Sequence, residues 1–306
     1  MTERSEVMNK QVERREVMNM QGTRMATRRR YLMCRPSYFI VAYSINPWMH
    51  PDDPAARVDG ERTLAQWESL RQTYVDLGHE VHLIDPVPGL PDMVFAANGA
   101  VVVDGQAFGS RFRHVQRLPE AVHYLGWFKT HGTAVGVHDT YVPLSVAEGE
   151  GDFLTMPDRI LAGTGFRTEP GAHRELAEFT GRPVVSLELV DPRLYHLDTA
   201  LAVLDDETIA YYPPAFSPES QDRLRELYPH AILADTADAM VLGLNAVSDG
   251  RHVVLPVQAT ALARQVADRG FEPVTVDVSE LRKSGGGPKC CTLEIRAARE
   301  NEGERR

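Results

Sequence analysis

Hydrophobic and polar positions along this chain follow two rhythms, one helical and one alternating, that succeed each other five times. A stretch with apolar residues at helical spacing ends in DLG at Gly78, and the β-rich run HEVHLID (His79–Asp85) follows it. The succession recurs with Gly132 before TAVGVHD (Thr133–Asp139), Gly181 before RPVVSLE (Arg182–Glu188), and Gly270 before FEPVTVD (Phe271–Asp277). One further unit, SPESQDRLRELYP followed by HAILAD (His230–Asp235), lacks the glycine. The four glycines stand where a helix C-cap needs a left-handed residue. The helix ends fall about 40 to 55 residues apart, which predicts one array of five αβ units.

The segments between each strand and the next helix also read as β-like, and they hold most of the chemically suggestive residues. They are VFAANGAVVV (Val94–Val103), EGEGDF (Glu148–Phe153), HLDTALAVL (His196–Leu204), LNAVSDGRHVVLP (Leu244–Pro256) and GGGPKCCTLEI (Gly285–Ile295). If the units surround an axis, these segments converge there and build one site from distant parts of the chain.

Composition narrows the partners. Lys and Arg number 33 against 43 Asp and Glu, a net charge of −10, which argues against a nucleic-acid or anionic-membrane partner and is compatible with plain solubility or a cationic small molecule. The 3 cysteines, two of them adjacent, cannot form a disulfide framework, and no spacing matches a zinc knuckle or a CxxC redox pair, so a reducing compartment is expected. No run of about 18 apolar residues occurs and the N-terminus lacks an apolar signal core, which leads to the expectation of a cytoplasmic protein. ERSEVMN (3–9) returns as ERREVMN (13–19) ahead of the basic stretch ending at Arg30. Residues 1–30 are therefore expected to be a flexible appendage, either a frayed helix or an over-extended start upstream of Met25, with 31–306 a single catalytic domain.

Three consecutive glycines precede Pro288, Lys289 and the pair Cys290 and Cys291. A cysteine becomes a nucleophile when positive charge or an acid–base partner favours its thiolate, and Lys289 is immediately adjacent. On a strand only one of the two cysteines can face a site; the alternative is two buried structural thiols. His196 and Asp198, two apart on an expected strand, share one face, an arrangement that suits proton transfer and cation binding or else a structural pair. Glu148, Glu150 and Asp152 add carboxylates in a glycine-interrupted loop that could equally be a solvated acidic loop. No His, Asp or Glu spacing matches a zinc-enzyme motif, and neither metal nor cofactor is expected. Carboxylates converging on a thiol suit a guanidinium, whose N–H groups pair with their oxygens while its central carbon stays open to attack.

GGGPKC (285–290), HLD (196–198), EGEGD (148–152) and PDMVFAAN (91–98) together resemble the guanidino-group-modifying, or pentein, enzymes: arginine deiminases, dimethylargininases, amidinotransferases and arginine dihydrolases. The likeness runs from Cys34 to Ile295. It implies an α/β fold, a five-bladed pseudo-symmetric propeller of ββαβ units, in agreement with the five repeats. It also implies Cys290 as nucleophile with Cys291 in the next, non-catalytic position, His196 as acid–base group, and Glu148 and Asp198 as carboxylates of the guanidinium pocket, with Asp92 on the same side. Arg117 is implied as the reader of the substrate carboxylate, with Arg113 or Arg111 in reserve. Asn245 lines the site near the cysteine, and Asn46 joins the substrate-binding set.

Asn98 bears on the product. Deiminases and dimethylargininases resemble one another in an aspartate at the end of this strand, whereas this chain has asparagine, and MCRPSYFIVAYSINPWM (33–49) resembles the opening of arginine dihydrolases. An amide can donate to a neutral ureido oxygen as well as accept from N–H; a carboxylate only accepts. The resemblance thus implies hydrolysis of arginine to ornithine, carbon dioxide and ammonia through a covalent thiouronium intermediate. Dimethylargininase, giving citrulline and dimethylamine, is the first alternative, followed by deiminase and amidinotransferase. A non-catalytic arginine-binding protein is the alternative of a different class; an intact Cys290, His196 and Glu148 count against it. The partner is a small molecule, arginine or a methylated arginine, and the sequence is compatible with a homo-oligomer.

Overall fold

The computed structural model describes residues 24–298, and the repeated ERSEVMN and ERREVMN segments lie outside the described residues. Asp59 opens the first long helix by accepting the Arg62 N–H at 3.1 Å, and α1 (Gly60–Asp76) buries Thr63, Trp67, Leu70 and Tyr74 at the spacing of a single helical face. Flanking it, β1 (Arg30–Cys34) and β2 (Glu80–Ile84) pair in parallel. Next come the hairpin of β3 (Ala100–Val103) and β4 (Gln106–Gly109), then α2 (Glu120–Val135) and β5 (Asp139–Tyr141), which lies parallel to β4. The same succession repeats as β6 (Phe153–Thr155), β7 (Ile160–Thr164), α3 (Pro170–Thr180) and β8 (Val184–Glu188), and again as β9 (Leu201–Val203), β10 (Ile209–Tyr211), α4 (Pro218–Leu227) and β11 (Ile232–Leu233). It closes with β12 (Val247–Ser248), β13 (His252–Pro256), α5 (Thr260–Asp268) and β14 (Glu272–Val276).

β15 (Leu293–Glu294) then returns to β1, antiparallel, with Tyr31 opposite Glu294. The result is five three-stranded sheets, each an antiparallel pair plus a parallel outer strand, and the first draws its strands from both ends of the described chain. This is the expected five-bladed α/β propeller of ββαβ units.

Four local expectations give way to helical turns. Gly132 does not end its helix: α2 continues to Val135 and is capped by Gly136 at φ 77°. Gly132 is needed for close packing instead, since a Cβ there would lie 2.8 Å from the Val137 carbonyl oxygen, and the strand is displaced to Asp139–Tyr141. VFAAN is not the start of a strand, because Pro91–Val94 and Ala96–Gly99 form 3-10 turns and pairing begins at Ala100. Leu197–Ala200 is one turn of α-helix, so His196 and Asp198 are not related by strand alternation. Cys290 and Cys291 likewise sit in a turn, where the Cys291 N–H donates to the Gly287 carbonyl at 3.3 Å. For the last three the physical reason is common: where the innermost strands approach the axis, ladder pairing runs out, and local bonds satisfy the backbone instead.

Candidate active site

These turns carry the site residues. Asn98 precedes β3, Glu148 to Asp152 precede β6, His196 and Asp198 precede β9, Asn245 precedes β12, and Cys290 precedes β15. The Ala97 N–H donates to the Cys290 carbonyl at 3.0 Å, tying the first and last of these turns together. The glycine run serves this convergence. Gly285 has a left-handed φ of 82°, Gly286 lies against the Phe95 ring where a side chain would not fit, and a Cβ on Gly287 would stand 2.7 Å from Asn245 Oδ1.

Cys290 Sγ lies 3.4 Å from Asp198 Oδ2 and 3.1 Å from Asn245 Nδ2. Burial and the Asp198 carboxylate push the thiol well above its ordinary range, so the resting sulfur is an S–H that donates to Asp198. Burial also pushes Asp198 up to about 6, against the pull of His196 and Lys289. The expectation that Lys289 would favour the thiolate fails, because its ammonium turns away to pair with Glu150 at 2.5 Å and to donate to the Thr292 carbonyl. Cys291 faces an apolar cluster with Tyr31, Tyr74 and Val94.

Glu148 is the hub on the other side. Its Oε2 takes His196 Nε2 at 2.7 Å and Arg167 Nη1 at 2.9 Å, while Oε1 accepts the Arg113 backbone N–H at 3.0 Å. Burial would raise this carboxyl, but Arg167 and His196 hold it well below the usual carboxylate range. Glu150 and Asp152, which the sequence grouped with it, act elsewhere. Glu150 joins Lys289 and Arg296 in a partly buried ion cluster, and Asp152 accepts the Leu197 and Thr168 N–H groups. Two buried site atoms have no partner among the described residues: Asp198 Oδ1 and His196 Nδ1. Buried polar atoms are almost always satisfied, so an unsatisfied acceptor on a carboxylate and a free ring nitrogen in one site mark where a ligand's polar groups belong.

Asn46, Asp92, Asn98, Arg117, Arg167 and Cys290 line a single cavity of about 10 Å³, the room one water needs. An arginine-sized molecule can enter only if side chains swing out. Asp92 accepts the Tyr43 hydroxyl at 2.7 Å and the Ser284 hydroxyl at 3.4 Å, and Asn46 donates to the Ser284 carbonyl at 3.1 Å. Among the three arginine candidates Arg117 alone reaches the cavity; Arg111 and Arg113 are exposed. Arg117 is held bidentately by Glu120 at 3.0 and 2.8 Å, gives Nη1 to Asn98 Oδ1 at 2.8 Å, and donates to the Asp92 carbonyl at 3.2 Å.

Sequence reasoning missed Glu120 and Arg167. Arg167 donates to the Ile45 carbonyl at 3.0 Å, stacks 4.6 Å over the Tyr195 ring, and has N–H groups without partners among the described residues. The repeat could have found it. Arg117 follows Asn98, and Arg167 follows Glu148, by the same 19 residues in consecutive units.

A second and larger cavity, about 590 Å³, opens at the opposite ends of the innermost strands, lined by Tyr31, Leu154, Arg182, Glu294 and Arg296. It is lined by no cysteine and its ions pair largely with one another, so size does not locate the chemistry. Among the described residues no group of three or more His, Cys, Asp or Glu is disposed to hold a metal ion, and no helix is long and apolar enough to cross a membrane.

No family model matches the chain. It is 56% identical over 270 residues to the N(G),N(G)-dimethylarginine dimethylaminohydrolase of Mycobacterium tuberculosis, covering 87% of this chain and 86% of that protein. It is 35% identical over 275 residues to ArgZ, the bifunctional arginine dihydrolase/ornithine cyclodeaminase of Synechocystis, covering 89% of this chain and 38% of that protein. The crystal structure of the N-terminal domain of ArgZ bound to product superposes with a TM-score of 0.83 at 34% identity, covering 89% of this chain and 98% of that domain. With its five-bladed ring and axial cysteine, the chain belongs to the guanidino-group-modifying, or pentein, superfamily, alongside the dimethylarginine dimethylaminohydrolases and arginine dihydrolases.

Proposed function

We propose that the chain is a cysteine-dependent hydrolase of the guanidino group of free arginine or of arginine methylated on its guanidino nitrogens. The observation that carries this reading is the pair of unsatisfied buried atoms, Asp198 Oδ1 and His196 Nδ1, beside a thiol already hydrogen-bonded to Asp198. A guanidinium supplies what they lack: N–H donors for the carboxylate oxygen and an amine nitrogen to receive a proton from the imidazole. Arg167, with partial help from Arg117, takes the substrate carboxylate. Arg117 contributes little of its fork because Glu120 already occupies two of its N–H groups.

In the first half-reaction the Cys290 proton leaves for Asp198, and sulfur forms a bond to the guanidinium carbon. The C–N bond to the departing amine then breaks, with His196 protonating that nitrogen. In the second half, water gives a proton to His196 and attacks the same carbon; the C–S bond breaks and the thiol regains its proton. Glu148 holds His196 in place through both steps. Net, one water replaces one amine.

Arginine dihydrolase heads the sequence-based expectation, but the 56% identical dimethylargininase puts dimethylarginine first as substrate. Apolar walls from Ile45, Met49 and Phe95 in the cavity suit its two methyl groups. The dihydrolase reading stands second, favoured by Asn98: with Oδ1 turned to Arg117, its amide N–H₂ faces the Glu148 carbonyl at 3.4 Å and is available as a donor near the reacting groups. Incubation with dimethylarginine, arginine and citrulline separates them. Dimethylamine and citrulline from dimethylarginine alone support the first, ornithine from arginine and from citrulline the second, and no turnover of any of the three refutes both.

A further inference from the structure

Asn245 is fully buried and touches Cys290 twice. Its Oδ1 accepts the Cys290 backbone N–H at 3.0 Å, which fixes the amide orientation and leaves Nδ2 facing the sulfur at 3.1 Å. The same Nδ2 donates to the Asp198 carbonyl at 3.1 Å. The backbone around Asn245 is specially shaped. Its N–H donates to the carbonyl of Leu242, a buried residue held at a left-handed φ of 57°, and its own carbonyl accepts the Lys289 N–H at 3.3 Å. Gly287 has no side chain where one would meet the amide. A leucine in a left-handed conformation is disfavoured and persists only where its surroundings demand it.

We infer that Asn245 is the residue that makes the Cys290 thiolate attainable, by directing an amide N–H at the sulfur, and is not merely a wall of the substrate pocket. Apart from a backbone hydrogen bond from Gly287, the sulfur's surroundings oppose ionisation. Asp198 places a carboxylate against it, Lys289 is diverted to Glu150, and His196 is bonded to Glu148. Among the described residues Asn245 Nδ2 is the side-chain donor within hydrogen-bond reach of Sγ. A donor to sulfur strengthens as charge develops there, so it lowers the cost of the anion more than that of the thiol. The inference rests on Cys290 being the nucleophile of the proposed reaction, but its test needs no substrate.

The test is a pH titration of thiolate absorbance in the far ultraviolet, each protein read as its difference from the same protein carrying Cys290→Ser. Asn245→Ala removes the donor without adding charge; Asn245→Asp keeps an oxygen for the Cys290 N–H but removes the donor. The Cys290 midpoint is expected to rise by about one pH unit or more in Asn245→Ala, a tenfold loss of thiolate at a given pH, and further in Asn245→Asp, with thermal unfolding confirming that both are folded. A purely structural role for Asn245 predicts a lower unfolding temperature with the midpoint unmoved, and that result in either folded variant overturns the inference. If the midpoint moves as expected in a chain that turns over neither arginine nor dimethylarginine, the proposed function fails while the assignment of Asn245 stands.

Discussion

Replacing Glu148 with glutamine tests the charge at the centre of the site. The carboxylate is completely buried and holds His196, Arg167 and the Arg113 N–H at 2.7, 2.9 and 3.0 Å. Glu148→Gln keeps the shape and one acceptor oxygen but leaves Arg167, only 3% exposed, without its counter-charge. Removing one partner from a buried pair typically costs about 3–5 kcal/mol; the retained oxygen and the Ile45 carbonyl on Arg167 place this variant near 3 kcal/mol. The pH dependence has a definite sign. Because the folded-state pKa is depressed, the unfolded chain binds more protons in acid, so the stabilisation is complete above the unfolded value of about 4.3 and is lost as pH falls below it. Urea unfolding should therefore show a gap between wild type and variant that is large at neutral pH and narrows as pH falls below about 4. With His196 no longer oriented by a carboxylate, turnover should fall by about 10²–10⁴-fold. A gap under about 1 kcal/mol at neutral pH, or one that widens in acid, would refute this account of Glu148.

Asp198 must be ionised to hold a cation, so kcat/KM should rise with pH through about 6 and then level off, and Asp198→Asn should flatten the rise along with the activity. Arg167→Ala should raise KM by at least about tenfold, whereas Arg111→Ala, altering an exposed side chain, should leave it unchanged; steady-state kinetics read both. Gly286→Ala drives a methyl into the Phe95 ring and should cost about 1–3 kcal/mol in denaturant unfolding. If arginine proves to be a substrate, Asn98→Asp should halt the reaction at citrulline by removing the N–H₂ that faces the Glu148 carbonyl, and chromatography of the products would show unchanged ornithine if that role is wrong.

The fold was readable because its signals are local and repeated. Helix faces such as Thr63, Trp67, Leu70 and Tyr74, and strands such as Val184–Glu188, declare themselves over a few residues, and five repetitions imply a ring. The turns nearest the axis look like strands in the sequence, because VFAAN and HLD are rich in residues that suit either state and their conformation is decided by bonds across the ring, such as that from the Ala97 N–H to the Cys290 carbonyl. The same distinction runs through the site. Cys290, His196, Asp198, Glu148, Asn98 and Asn245 stand in short motifs that mark them, and the structure brings them together. The direction of Lys289 is not legible, because adjacency along the chain says nothing about direction in a turn, and Glu150 draws its ammonium away. Glu120 was invisible, since a glutamate at the start of a helix ordinarily faces solvent and only the buried Arg117 explains its place inside.

The most direct test is mass spectrometry of the acid-quenched reaction with dimethylarginine and with arginine, mapped to peptides and run beside Cys290→Ser and Cys291→Ser. The account predicts a substrate-derived adduct on Cys290 in the wild type and in Cys291→Ser, none in Cys290→Ser, and turnover lost only in the last. Undiminished turnover by Cys290→Ser, or equal loss in both variants, would contradict it.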